Sequence, residues 1–164
     1  KTLFTRQRII FVGVIEDLSI EPSHPKPFDS LLIAADKAIE GATIDDCGRP
    51  KVLLAVKMNG CRPGSNLGKQ SKTGSLFSYV RCPIGRPAMT LQKSVTHGGI
   101  SMWHPRENRN LSIGELKRIC SYPDSFQFVG TYEDGVNRMG NSVPPFFMKA
   151  IAEHIRDNIL ALAG

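Results

Sequence analysis

Acidic residues are absent from one long stretch of this 164-residue chain. All 15 lie at or before Asp46 or at or after Glu107, whereas residues 47–106 contain ten of the 21 lysines and arginines. The stretch has a formal charge of +10 and the rest of the chain −4, which together make the net charge of +6. Sixty residues without a carboxylate cannot neutralise their own field. They therefore indicate either a polyanionic partner such as nucleic acid or a generically basic, solvated surface.

The composition indicates one folded domain. Hydrophobic residues make up 41% of the chain and charged residues 22%, which excludes intrinsic disorder. No apolar run approaches the roughly 18 residues of a membrane span, and no signal peptide opens the sequence, so we predict a cytoplasmic protein with no membrane partner. The chain begins with Lys1 rather than Met, which suggests a part of something longer. The cysteines lack zinc-ligand spacing, and we expect reduced thiols and no metal at Cys47, Cys61, Cys82 and Cys120.

Near the N-terminus the pattern changes twice. The continuous apolar run of residues 8–14 predicts a strand that is buried on both faces. The proline-dense residues 21–27 predict an extended connector. Apolar spacing over residues 28–40 predicts a short amphipathic helix, which Gly41 ends.

The acid-free stretch has the texture of strands and loops. Apolar residues predict strands at 52–56 and 76–80. Between them, residues 59–75 are rich in Gly, Ser, Lys and Arg and predict a mobile basic loop. Residues 86–91 and 97–99 continue the same texture, so the middle of the chain is predicted to be rich in β-structure.

Two helices are predicted in the last third of the chain. Ser112 and Glu115 have the spacing of a capping box, in which each side chain takes a backbone N–H of the other residue, and the helix should end near Cys120. Pro144 and Pro145 are suited to the start of a final helix, because its first positions need no N–H donor. The apolar face of that helix comprises Phe147, Met148, Ile151, Ile155, Ile159 and Leu162.

Three separated blocks of sequence carry a family resemblance. Residues 6–13 read Arg-Gln-Arg-Ile-Ile-Phe-Val-Gly, and residues 138–145 read Arg-Met-Gly-Asn-Ser-Val-Pro-Pro. Between them, residues 109–118 read Arg-Asn-Leu-Ser-Ile-Gly-Glu-Leu-Lys-Arg and are followed by Tyr-Pro-Asp-Ser-Phe at 122–126. In order and spacing these blocks resemble motifs VIII, X and IX, respectively, in the C-terminal half of the DNA (cytosine-5) methyltransferases.

The resemblance implies an α+β architecture. A β-rich target-recognition module would be attached to one strand and the C-terminal helix of a Rossmann-like methyltransferase domain. Residues 1–17 would form the strand segment and residues 18–108 the target-recognition region. Residues 109–164 would lead through the final helix back into the catalytic domain.

The resemblance also implies catalytic and cofactor residues. In this family a cytosine is flipped out of duplex DNA, attacked at C6 by a cysteine and methylated at C5 from S-adenosylmethionine. Arg8 would contact the flipped base, on which negative charge develops, and Arg6 would support it. Asn141, Ser142 and Val143 would contribute to the S-adenosylmethionine pocket beside a helix N-terminus. Judged from the residues alone, the two arginines could instead flank a strand in solvent, and the other three could form a plain capping turn.

Contacts to double-stranded DNA are predicted within the acid-free stretch. Thr90 and Leu91, followed by Gly98 and Gly99, resemble the dipeptide and glycine loop that meet DNA in the family, and glycines let backbone approach bases or phosphates closely. The basic residues predicted to bind phosphates or bases there are Arg62, Lys69, Lys72, Arg81, Arg86 and Lys93.

Several parts of a complete enzyme of this family are absent from the sequence. It contains no Pro-Cys nucleophile, no Glu-Asn-Val block and no Phe-x-Gly-x-Gly cofactor loop, and Cys82-Pro83 has the reverse order. We therefore expect part of a bacterial or phage enzyme acting at the nucleoid, inactive without an N-terminal catalytic half in the same chain or in a separate subunit. The alternatives are a non-catalytic nucleic-acid-binding module and a fragment of a related tRNA cytosine-5 methyltransferase. A purely structural domain would leave the acid-free stretch unexplained.

Overall fold

The computed structural model describes residues 9–26, 32–70, 79–92 and 102–162, without the side chains of residues 69 and 70. The α-helices in these ranges are α1 (Ala35–Ala38), α2 (Val52–Asn59), α3 (Ile113–Ile119), α4 (Tyr132–Asn141) and α5 (Pro145–Asn158). The strands are β1 (Val80–Arg81) and β2 (Met102–Trp103), and single 3-10 turns occur at Glu16–Leu18, Leu67–Gln70 and Leu160–Leu162. None of these helices is long and apolar enough to cross a membrane.

The two strands form a small parallel sheet. Val80 lies opposite Met102 and Arg81 opposite Trp103, and Trp103 also forms an antiparallel bridge to Asn110. Because side chains alternate along a strand, Met102 and Trp103 point to opposite faces of this sheet.

The prediction of a β-rich module is wrong for the part of the chain that the structure describes. Each strand has only two residues, and helices predominate. Pro83 and Pro105 each lie two residues beyond the end of a strand. Since proline has no N–H to donate, it cannot extend a ladder at these points.

Two hydrophobic clusters lie on the two faces of the sheet. The first joins Met102 to residues of α1, α3 and α4, including Ala35, Leu116, Ile119, Val136 and Met139. The second joins Trp103 to α2 and its neighbours, including Leu54, Met58, Cys61, Leu67 and Tyr79. The acid-free stretch is thus anchored to the C-terminal helices through a shared two-sided sheet.

The N-terminal predictions are corrected in two places. Residues 9–14 form no strand, and Ile9 and Phe11 are 82% and 90% exposed. No strand of the described residues pairs with this segment, and exposure alternates along it: Ile10, Val12 and Val14 are half-buried, whereas Ile9 and Phe11 face solvent. The helix expected over 28–40 is reduced in residues 32–40 to the four residues of α1, while residues 27–31 lie outside the described ranges. Gly41, at φ +69°, follows α1 as expected of a helix stop.

In the middle of the chain, the strand predicted at 52–56 is instead the start of α2. Leu54 and Met58, four residues apart, are buried in the second cluster, which is a helical spacing. Of the strand predicted at 76–80, residues 79 and 80 are described, and only Val80 is in a strand. The predicted loop begins after α2 and contains the 3-10 turn Leu67–Gln70, while residues 71–75 lie outside the described ranges.

The two helices predicted at the C-terminus are confirmed, but the apolar face predicted for the second is only partly buried. Ile151 and Ile159 are buried, whereas Met148 and Leu162 are 41% and 69% exposed, and Ile159 and Leu162 lie beyond the end of α5. Ser112 and Glu115 form the capping box of α3, which ends before Cys120, and α5 begins at Pro145. Sequence reasoning missed α4, although Thr131 and Asp134 form a reciprocal cap of the same kind at its start. The signal was overlooked because the box carries Asp rather than Glu or Gln at the third helical position.

Candidate nucleic-acid interface

Five basic side chains of the acid-free stretch are exposed and form no ion pair with the described residues. Among the described residues, none of the following forms an ion pair: Arg49, Lys51, Lys57, Arg62 and Arg86. The lysine and arginine residues that do pair with carboxylates lie outside residues 47–106 or at position 106: Lys37, Arg106, Arg109, Arg118, Lys149 and Arg156. The ion-paired carboxylates among the described residues therefore neutralise other basic residues, and the surface formed by the exposed basic residues of the acid-free stretch stays positive.

A tight turn at Gly64 lies against the guanidinium group of Arg86. Gly64 has φ +77°, and a Cβ there would come within 2.7 Å of Arg86 Nη2. The backbone N–H of Gly64 donates to the Arg81 carbonyl at 2.9 Å, and that of Ser65 to the Arg62 carbonyl at 3.0 Å. Glycine thus permits both the left-handed turn and the close approach of Arg86. Arg62, at the start of the turn, is also exposed, and exposed cations of this kind can bind phosphates.

Arg81 is oriented differently from Arg62 and Arg86, although sequence reasoning grouped them. Its side chain is buried, and Nη1 donates to the carbonyls of His104 (2.9 Å) and Glu107 (2.6 Å). Its Nη2 donates to the Met58 carbonyl (2.6 Å) and to Asn108 Oδ1 (3.1 Å). Burial lowers the pKa of this guanidinium. Through these hydrogen bonds Arg81 connects α2 to residues 104–108. This geometry lends no support to a DNA contact by Arg81.

The other predicted DNA contacts include both exposed and buried residues. Thr90 is exposed, whereas Leu91 is 3% exposed and belongs to the first hydrophobic cluster. Lys69 lies in the 3-10 turn, and its side chain is not described. The remaining predicted contacts lie outside the described ranges: Lys72, Lys93, Gly98 and Gly99.

A buried ion pair fixes the start of α3. Arg109 Nη1 and Nη2 donate to the two carboxylate oxygens of Glu115 at 2.7 and 2.8 Å, and the Ser112 N–H donates to the same carboxylate at 2.7 Å. Burial opposes ionisation of Glu115, but the bonds from Arg109 and Ser112 hold its pKa below the usual value. The same pairing raises the pKa of Arg109. Bidentate geometry of this kind fixes the orientation of both groups and so holds the first turn of α3 in place.

His104 extends this network towards a cavity. Its Nδ1 accepts the backbone N–H groups of Arg106 (3.2 Å) and Glu107 (2.8 Å), so a neutral ring carries its proton on Nε2. That nitrogen lies 3.6 Å from carboxylate oxygens of Glu107 and Glu115. Burial, followed by the charge of Arg109, lowers the pKa of His104. The adjoining cavity has a volume of about 430 Å³.

The predicted cofactor residues lie between α4 and α5. Asn141 is the last residue of α4 and is exposed. The Ser142 hydroxyl donates to the Met139 carbonyl at 2.8 Å and so closes the helix, while Val143 is half-buried. The predicted catalytic residues Arg6 and Arg8 lie outside the described ranges.

Comparison with known proteins identifies the class to which this arrangement belongs. The family model for C-5 cytosine-specific DNA methylases matches residues 36–157, which include α2, α3, α4 and all but the last residue of α5. The chain therefore belongs to the C-5 cytosine-specific DNA methylase family.

Individual relatives are type II methyltransferases. The chain is 28% identical to M.BbvI of Brevibacillus brevis over 92% of its own length and 44% of that protein. It is 28% identical to M.Sau96I of Staphylococcus aureus over 92% of its length and 39% of that protein. It therefore spans less than half the length of these two relatives. By contrast, the match to M.AquIB of Picosynechococcus, at 29% identity, covers 63% of this chain and 80% of M.AquIB.

Proposed function

We propose that this chain is the DNA-binding, C-terminal part of a DNA (cytosine-5) methyltransferase. The carrying observation is the set of exposed bases without ion pairs in a segment that the family match covers in large part. Unpaired lysine and arginine side chains bind phosphates and release counterions, which supplies affinity for duplex DNA. The chain would act together with a part that carries the cysteine nucleophile and most of the cofactor site.

The proposed division of labour follows the sequence blocks. Residues 18–108 would contact the target DNA, and residues 1–17 and 109–164 would join the catalytic domain. Arg8 would contact the flipped cytosine and Arg6 would support it. Exposed Ile9 and Phe11 alternate with half-buried Ile10 and Val12, which is consistent with a segment that pairs with a sheet supplied by another part of the enzyme.

S-adenosylmethionine would supply the methyl group. Asn141 fits a role in holding it, because its exposed carboxamide both donates and accepts hydrogen bonds. Val143 would offer an apolar contact. The Ser142 hydroxyl already donates to the Met139 carbonyl, so we assign Ser142 a backbone contact at most.

Binding of DNA is tested with a labelled 30-base-pair duplex at several salt concentrations. Binding should weaken as salt increases, and the log–log slope should fall by about one for each phosphate contact removed. Arg62→Gln and Arg86→Gln each remove one such contact. Arg118→Gln is the matched control, because Arg118 is already paired with Asp124 at 2.7 Å. Preferential binding of tRNA over the duplex would favour the related tRNA enzymes instead.

Catalysis is tested by mixing the chain with the N-terminal half of M.BbvI or another relative and following transfer of a labelled methyl group to duplex DNA. We expect transfer to cytosine only in the mixture. DNA binding without transfer in mixtures with several such halves, or in a fusion to them, would leave a non-catalytic binding module as the better description.

A further inference from the structure

Helix α2 presents an apolar face to solvent within the basic segment. Val52, Leu53 and Val56 are 80%, 68% and 66% exposed. At 100° per residue these three positions share one side of the helix, and Leu54 and Met58 occupy the buried side. The exposed side chains therefore form one continuous patch rather than scattered surface residues.

The buried side of α2 is fixed by hydrogen bonds and by hydrophobic packing. Asn108 Nδ2 donates to the Ala55 carbonyl at 3.0 Å, and Arg81 Nη2 donates to the Met58 carbonyl at 2.6 Å. Leu54 is buried against the second hydrophobic cluster. The patch thus sits on a rigid element, which is where a contact surface is best placed.

The charges around the patch restrict what can cover it. Arg49 and Lys51 precede it, and Lys57 lies one turn beyond Leu53; all three bases are exposed and without ion pairs among the described residues. A second copy of this chain would bring like charges together. A lipid surface would require a larger apolar face than three side chains provide. The partner must combine apolar groups with a border of negative charge.

Duplex DNA has that combination, since phosphates border a groove that displays the C5-methyl groups of thymine and is wide enough to admit a helix. We infer that α2 contacts duplex DNA directly. Val52, Leu53 and Val56 would lie against the apolar edges of the nucleobases, and the flanking lysine and arginine side chains would contact phosphates. The inference rests on the proposed DNA-binding function and adds to it a surface that senses thymine methyl groups.

The test compares Val52→Thr/Val56→Thr with Val129→Thr, which makes the same substitution at a residue that is 77% exposed in another region. Each protein is titrated into alternating dA·dT and dA·dU duplexes, because uracil lacks only the methyl group. The parent should bind the thymine duplex about fourfold more tightly for each methyl group it buries. The double variant should lose this preference and bind the thymine duplex at least about fourfold more weakly. Its salt slope should not change, since no charge is removed, and Val129→Thr should match the parent.

Equal affinities of the parent for the two duplexes, or a double variant that matches the parent on both, would overturn the inference. A double variant that binds DNA normally but no longer self-associates in sedimentation would assign the patch to a protein interface, which also overturns it. Failure of the parent to bind any duplex at low salt would instead refute the proposed DNA-binding function.

Discussion

Replacing Arg81 by methionine distinguishes a buried, structural cation from the exposed cations that we propose bind DNA. The sequence groups Arg81 with Arg62 and Arg86, yet Arg81 is 4% exposed and its guanidinium donates to four protein oxygens. Methionine fills most of the same volume without donating hydrogen bonds. The change in the free energy of unfolding caused by Arg81→Met therefore measures how much the guanidinium stabilises the fold.

The expected loss in the free energy of unfolding arises because the substitution leaves buried carbonyl oxygens without a hydrogen-bond donor. The bonds to the carbonyls of His104 and Met58 are fully buried, and an unsatisfied buried acceptor costs about 1–3 kcal/mol. Removal of a buried cation recovers part of this cost, because the guanidinium no longer has to be desolvated. We expect Arg81→Met to lower the free energy of unfolding by about 3 kcal/mol, which at this chain length lowers Tm by about 6–12 °C.

The assay is urea and thermal unfolding followed by circular dichroism, combined with the salt dependence of duplex binding below the transition. Arg86→Met is the matched control: it should change the free energy of unfolding by less than about 0.5 kcal/mol and reduce the salt slope by about one. Arg81→Met should do the reverse. The reasoning is refuted if Arg81→Met unfolds like the parent and reduces the salt slope as Arg86→Met does.

Two further predictions concern the start of α3. Gly114→Ala places a Cβ against the Thr43 carbonyl and should lower the free energy of unfolding by about 1–3 kcal/mol, whereas Gly60→Ala, which meets no neighbour within 4 Å, should leave it nearly unchanged in the same urea titrations. Because the folded-state pKa of Glu115 lies below its unfolded value, the stability it contributes is complete above that unfolded value and is lost as pH falls through the folded one. Glu115→Gln should therefore unfold more easily at pH 7, by about 3 kcal/mol, because it breaks the buried pair with Arg109 and leaves that guanidinium with Glu107 as its carboxylate partner among the described residues. It should also lose less stability on acidification than the parent, since the Glu115 carboxylate no longer titrates; identical pH profiles would contradict this.

The helices that the sequence predicts correctly are those with local signals. The capping box of Ser112 and Glu115 and the prolines before α5 act within one turn, so neighbouring residues are enough to identify them. The run at 52–56 is ambiguous, because Val and Leu suit a buried strand and a helix equally. Only the packing of Leu54 and Met58 against Trp103 decides for α2, and Trp103 lies more than forty residues away.

The site shows the same limit. Charge patterning identifies the basic stretch, but it cannot separate Arg81 from Arg86. That distinction depends on register: Arg81 stands opposite Trp103 in the sheet and so faces the second cluster. Arg86 follows the sheet and lies over Gly64 on the surface. Burial of a cation is a property of the pairing partner, which the local sequence does not contain.

The placement of acidic and basic residues makes the stability of the fold depend on ionic strength. The carboxylates of this chain pair with Arg109, Arg118 and Arg156 among others, whereas the exposed basic residues Arg49, Lys51, Lys57, Arg62 and Arg86 form no ion pair within the described ranges. Repulsion between these side chains disfavours the compact state at low ionic strength and is screened by salt. A ligand that binds only the folded chain stabilises it by RT ln(1 + [L]/Kd), about 2.7 kcal/mol at a hundredfold excess over Kd. A polyanion that binds this surface of the folded chain therefore offsets the repulsion between the basic side chains and stabilises the fold.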